Sequence, residues 1–235
     1  MKTIGLIGGM SWESTTEYYR IINQSVQKIL GGVHSAKIVM VSLDFAEIEE
    51  LQTQGKWDVA TSIMVDSARQ LEKGGADMVL ICTNTMHLMA DEVQEGINIP
   101  LLHIADATAR TVIDLGLNKI GLLGTRFTME KDFYRGRLEK KHKLKILIPN
   151  EDQRDIVHRV IYQELVKGQI KENSRKKYRD IIESLIESGA EGIILGCTEI
   201  GLLVKQKDIP VPVFDTTDIH ARAAVEAALD NAFHY

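Results

Sequence analysis

Fifteen residues in the first half of this chain lie without a gap over fifteen in the second, and this constrains the fold more than any single motif. The segment LEKGGADMVLICTNT (71–85) placed on LIESGAEGIILGCTE (185–199) puts Leu71 on Leu185, Gly75 on Gly189, Ala76 on Ala190 and Asp77 on Glu191. Val79, Leu80 and Ile81 then fall on Ile193, Ile194 and Leu195, at an offset of 114 residues. At an offset of 116, IGLIGG (4–9) lies over IGLLGT (120–125), and NIPLL (98–102) lies near DIPVP (208–212). The chain therefore reads as two half-chains of like design.

Each half has the grammar of an α/β unit. Short apolar runs (TIGLI, KIVMVSL, MVLIC, KIGLL, KILI, GIILG, VPVF) alternate with segments of helical period at 12–30, 56–74, 151–167 and 171–188. The expected fold is α/β: two similar lobes with mostly parallel sheets flanked by helices. The first lobe is expected from 1–98 plus 213–235 and the second from 99–212. Ligands of such sheets bind beyond the carboxyl ends of the strands, so the active site is expected in the cleft between the lobes.

Composition excludes several functions. A net charge of −5 gives no reason to expect nucleic acid, and the basic stretch RGRLEKKHKLK is interleaved with apolar residues like a solvated helix face. The opening MKTIGLIGG has one lysine and a short apolar run broken by glycines, so neither a secretory signal nor a membrane span is expected, and the location is expected to be cytoplasmic. The two cysteines lack partners at metal-ligand spacing; free thiols and no metal are expected.

The repeat also sorts those cysteines. Cys197 falls on Thr83, while Cys82 falls on Gly196. Side chains alternate faces along a strand, so this one-residue difference points the two thiols differently, and Cys82 reads as a buried structural residue. Thr83, Asn84 and Thr85 in one half, and Cys197, Thr198 and Glu199 in the other, stand where strand gives way to helix. Such residues cap helices, and they also assist backbone N–H groups in binding anions; the two roles are compatible. A helix start lowers a neighbouring thiol's pKa from about 8.5, so Cys197 is expected to be a reactive thiolate. Gly8, Gly9, Met10 and Ser11 after the first strand, with Gly124 and Thr125 as counterparts, offer either backbone donors or simply a tight turn; GLIGGMS lacks the dinucleotide-binding spacing.

GLIGGMS, CTNTMH and GCTEIGLL, with VFDTTDIH near the end, resemble the cofactor-independent aspartate/glutamate racemase family over essentially the whole chain. The resemblance implies two lobes with an amino-acid substrate between them, one catalytic cysteine from each, no cofactor and a homodimer. The first cysteine of the family directly precedes Asn-Thr, a position held here by Thr83. The implied function is two-face proton transfer at the α-carbon, with Cys197 as base for the L-enantiomer and Thr83 opposite. Substrate contacts carried over are Met10, Ser11, Asn84, Thr85, Thr125 and Thr198, with Glu199 taking the ammonium group. The arginine that related aspartate racemases carry after the second strand is missing from SLDFAEIEELQTQ. Its role falls vacant or passes to Gln52, and Lys167 stands near the family's lysine position or is a solvated helix-end lysine. Substrates are expected to be aspartate and glutamate or a broader set. A decarboxylase or cis-trans isomerase using a single cysteine, and a non-catalytic amino-acid binder, are the competing readings.

Overall fold

The computed structural model describes residues 1–229; residues 230–235, the end of the expected first lobe, lie outside the described residues. In chain order the elements are β1 (Ile4–Gly8), α1 (Trp12–Leu30), β2 (Ile38–Ser42), α2 (Phe45–Thr53), α3 (Trp57–Lys73), β3 (Met78–Ile81), α4 (Ala90–Glu95), β4 (Leu101–Leu102) and α5 (Ile104–Asp114). They continue with β5 (Lys119–Gly124), α6 (Arg126–Glu130), α7 (Arg137–Lys140), β6 (Lys145–Leu147), α8 (Glu151–Gln163), α9 (Glu172–Glu187), β7 (Gly192–Gly196), α10 (Ile200–Leu203), β8 (Val213–Asp215) and α11 (Thr216–Leu229).

Two four-stranded sheets result, ordered β2-β1-β3-β4 and β6-β5-β7-β8, and every pairing is parallel. Strand for strand the second order repeats the first, so the likeness between the half-chains is a likeness of topology. Parallel neighbours require crossover connections, and the helices between strands supply them. The described residues divide into two compact units, one of residues 1–104 and 220–229, the other of residues 105–219. The divisions expected at 98/99 and 212/213 lay at the Ile-Pro turns, whereas the observed ones fall at the start of α5 and inside α11. Among the described residues no helix is long and apolar enough to cross a membrane.

In the first unit β1 and β3 are buried along their whole length. Alternation sends their side chains to two separate apolar layers. Ile4, Leu6, Met78 and Leu80 pack with Tyr18, Ile22 and Val26 of α1 and with Ala221, Ala224 and Val225 of α11. Ile7, Val79 and Ile81 pack on the other face with Met64, Ala68 and Leu71 of α3. Cys82 belongs to the first layer, fully buried. In the second unit, buried Ile120, Leu122 and Leu123 of β5 and Ile193, Ile194 and Leu195 of β7 occupy the corresponding central strands.

Two sequence expectations change here. The helix expected over 151–167 ends at Gln163; Glu164 leaves helical geometry at φ −126°, and a separate 3-10 turn, Leu165–Lys167, closes on Gly168 at φ 67°. The basic stretch is more than a solvated face. After a π-helical turn at Asp132–Gly136, the side chains of Arg137, Lys141 and His142 converge on half-buried Asp106 at 2.7, 2.8 and 2.7 Å. Although burial pushes the other way, those donors hold the Asp106 carboxyl far below the usual carboxylate range.

Candidate active site

The turn after β1 is shaped by Gly9, whose φ of +88° and packing against Leu43 leave no room for a side chain. Its N–H donates to Thr15 Oγ1 at 2.8 Å, and the same hydroxyl donates to the Ser11 carbonyl at 2.9 Å. Ser11 caps α1 by accepting from the Ser14 N–H, and both Met10 and Ser11 are buried. The first turn of α1 then meets the end of β3, where the Ser14 hydroxyl donates to the Cys82 carbonyl at 3.3 Å.

Beyond β3, Thr83 is half-buried and Asn84 and Thr85 are buried. The chain then enters a 3-10 turn, Thr85–Met89, without a side-chain cap from Asn84. Gln52, in the last turn of α2, is buried with its amide nitrogen 3.2 Å from Met86 Sδ, which brings it onto the 3-10 turn that follows Thr83 and Asn84. His87 Nδ1 lies 2.8 Å from the Thr83 carbonyl.

At the matching end of β7, Cys197 is 8% exposed, and its thiol donates to Glu199 Oε2 at 3.0 Å. The Thr198 hydroxyl donates to the same oxygen at 2.7 Å. Glu199 starts α10 without capping it. The Cys197 thiol and the Thr198 hydroxyl thus both converge on the Glu199 carboxylate, which does not cap α10. Thr125, buried beyond β5, caps α6 through the Thr128 N–H. Gly124 pairs in register with Gly196, which sets Thr125 beside Cys197 across neighbouring strand ends. Lys167 is exposed at the end of its 3-10 turn.

The expectation of a lowered Cys197 pKa is overturned. Backbone N–H groups of Glu199 and Ile200 do favour the thiolate, as a helix start should. Burial, and then the charge and hydrogen bond of Glu199, outweigh them and hold the thiol well above its ordinary range. Cys82 is raised by burial alone. A residue that the sequence does not single out is Tyr178, a fully buried tyrosine of α9 that donates to the Val157 carbonyl at 2.9 Å. Burial is the main cause of its raised pKa, and the charge of Cys197 and of Glu164 adds to it, so it stands within electrostatic reach of the thiol. Its helical spacing with Ile181, Ile182 and Leu185 gives it the signature of one more core residue.

A duplicated α/β protein that ends the third strand of each sheet in a compact polar turn, with a thiol joined to a carboxylate in one of them, belongs to the class that works on small molecules at its strand ends. Within that class, the Asp/Glu/Hydantoin racemase family matches residues 7–224. The chain belongs to that family, and with it to the isomerases. It is similar to the broad-specificity amino-acid racemase RacX of Bacillus subtilis, with 23% identity over 96% of this chain and 98% of the relative. A crystal structure of a candidate Asp/Glu racemase from Yersinia pestis shares 54% identity at a TM-score of 0.92, covering 98% of this chain and 100% of that one. PH1733, an aspartate racemase homologue from Pyrococcus horikoshii, shares 36% identity at a TM-score of 0.85, again over 98% and 100%.

Proposed function

We propose that this chain is a cofactor-independent amino-acid racemase in which Cys197 and Thr83 serve opposite faces of the substrate α-carbon. The observation that carries this reading is the matched placement of the two residues in the repeat, Thr83 two positions beyond β3 and Cys197 one beyond β7, in sheets of identical strand order. Cys197, as thiolate, takes the α-proton of the L-enantiomer, and its thiol returns a proton in the reverse direction. A threonine hydroxyl is not appreciably ionised near neutral pH, so Thr83 acts as proton donor or relay rather than as base.

Glu199 gives this chemistry its order of events. Without substrate, burial and then its carboxylate keep the thiol protonated. A substrate ammonium group held by Glu199 offsets that charge and favours the thiolate beside the bond to be broken. Met10, Ser11, Asn84, Thr85, Thr125 and Thr198 supply small polar or backbone partners for the α-carboxylate. The side-chain subsite lacks the arginine of related aspartate racemases, its role vacant or passed to the neutral Gln52, and Lys167 is solvent-exposed. Both features, with the broad specificity of the Bacillus subtilis relative, support a substrate range wider than aspartate and glutamate.

The test is α-proton exchange in heavy water, followed by NMR over a panel of L- and D-amino acids. Exchange that disappears in Cys197→Ala is the expected result. Saturable binding with no exchange for any member of the panel would leave an amino-acid binder instead, and loss of carbon dioxide from an aryl malonate would point to decarboxylation.

A further inference from the structure

His87 ends the motif CTNTMH and is assigned no role by the chemistry above. Its ring is 2% exposed and uses both nitrogens on backbone groups. The Thr83 carbonyl can only accept, so Nδ1 carries the proton of the 2.8 Å bond. The Ile104 N–H can only donate, so Nε2, at 3.2 Å, is unprotonated. One neutral imidazole therefore fastens the turn after β3 to the first residue of α5.

The ring is itself held. His103 packs against it with centroids 4.6 Å apart and the rings tilted by 55°, and His220 meets it edge-on at 5.8 Å. His220 has the opposite tautomer: Nε2–H donates to the Leu102 carbonyl at 2.8 Å, and Nδ1 accepts from the Tyr18 hydroxyl at 2.9 Å. Two imidazoles thus grip the stretch from Leu102 to Ile104 from two backbone atoms, and only one of them reaches the reacting turn. Because a peptide unit is planar, holding the Thr83 carbonyl also fixes the direction of the Asn84 N–H. It fixes the start of the chain from which Thr83, Asn84 and Thr85 project.

We propose that His87 is a positioning residue for racemisation, acting through the hydrogen bond from its Nδ1–H to the Thr83 carbonyl. The proposal rests on the racemase reading above. Replacement by asparagine puts an amide N–H near the Nδ1 position and preserves the bond to Thr83. Replacement by glutamine reaches the Nε2 position and preserves an acceptor for Ile104, and leucine preserves neither. In His87→Asn, kcat should stay within about threefold of wild type, whereas in His87→Gln and His87→Leu it should fall about tenfold or more, since displacement of a reacting group is costly. KM should stay within about threefold of wild type in His87→Asn and rise alongside the loss of kcat in the other two variants, because Asn84 and Thr85 project from the same stretch as Thr83.

Far-UV circular dichroism identifies variants that fold; if the leucine variant does not, the comparison of asparagine with glutamine decides. Equal losses in those two, or full activity in His87→Leu, overturn the proposal while leaving the racemase reading intact. Absence of exchange in the wild-type protein overturns both. Nitrogen-15 NMR of the imidazoles gives a readout apart from catalysis: an Nδ1–H tautomer for His87 beside an Nε2–H tautomer for His220 is expected, and an Nε2–H tautomer at His87 overturns the proposal.

Discussion

A thiol is a base only to the extent that it is ionised, and for Cys197 the charged group that opposes ionisation, beyond burial itself, is two residues away. Glu199 raises the thiol pKa by its charge and by the 3.0 Å hydrogen bond, on top of the larger effect of burial. Glu199→Gln removes the charge, so thiolate formation should move to lower pH. In the wild-type free enzyme the reactivity of Cys197 should climb only above the ordinary thiol range near 8.5, and in the variant the rise should begin earlier. Alkylation rate against pH measures this, with the fully buried Cys82 unreactive in both proteins. A rise displaced to higher pH in Glu199→Gln would remove Glu199 from control of the thiol. The distinction between the two thiols was legible in the sequence, because the repeat separates Cys197 from Cys82 by a single register step. The sign of the pKa shift was not. A helix start after GC is visible in a sequence, but the return of the Glu199 carboxylate onto Sγ depends on backbone geometry at three consecutive residues and on how deeply the turn is buried.

Elements carry constraints of a different kind. The turn joining β1 to α1 has Gly9 at φ +88°, where an added Cβ would meet the backbone of Leu43. Gly9→Ala therefore combines a left-handed backbone with a backbone clash, and it should cost about 2 kcal/mol or more in urea unfolding. Helix α11 is fastened by His220 to Leu102 of β4 and to Tyr18 of α1. Burial lowers the His220 pKa from 6.5 to about 4, with the bond to Leu102 opposing part of the shift. The folded state thus binds fewer protons than the unfolded chain below pH 6.5; this contribution is complete above that value and fades as pH falls toward 4. Between pH 7 and 5, unfolding of wild type should lose about 2 kcal/mol more than unfolding of His220→Gln, which cannot titrate there. Equal losses would mean that the ring is already protonated or exposed. Long periodic helices and the central strands were readable from apolar spacing. Strand β4, only Leu101–Leu102, was too short to show a period, and α8 stopped early because a left-handed Gly168 offered a turn that helical spacing does not reveal.

At the scale of the whole molecule, a duplicated fold has kept its topology and lost the chemical equivalence of its halves. Sheet orders match strand for strand, yet the position that bears a thiol after β7 bears a hydroxyl after β3. Enantiomers are equally stable in water, so kcat/KM must be the same in both directions whatever residues are present, and the asymmetry has to appear elsewhere. It should appear in the fate of the carbanion. In the proposed mechanism, the Cys197 thiol that has taken the α-proton of an L-amino acid exchanges with heavy water and can return deuterium to the same face, giving labelled L-substrate without inversion. Inversion in that mechanism needs delivery from Thr83, a much weaker acid than a thiol. Exchange with retained configuration should therefore outrun racemisation in the wild-type protein when the L-enantiomer is supplied. Thr83→Cys supplies a second thiol and should bring the two rates together, while raising kcat for the D-enantiomer by about tenfold or more. Proton NMR for label uptake and polarimetry for inversion, run on one reaction, separate the two processes. Racemisation that already keeps pace with exchange in wild type would show that Thr83, or a group acting through it, delivers protons as readily as the thiol.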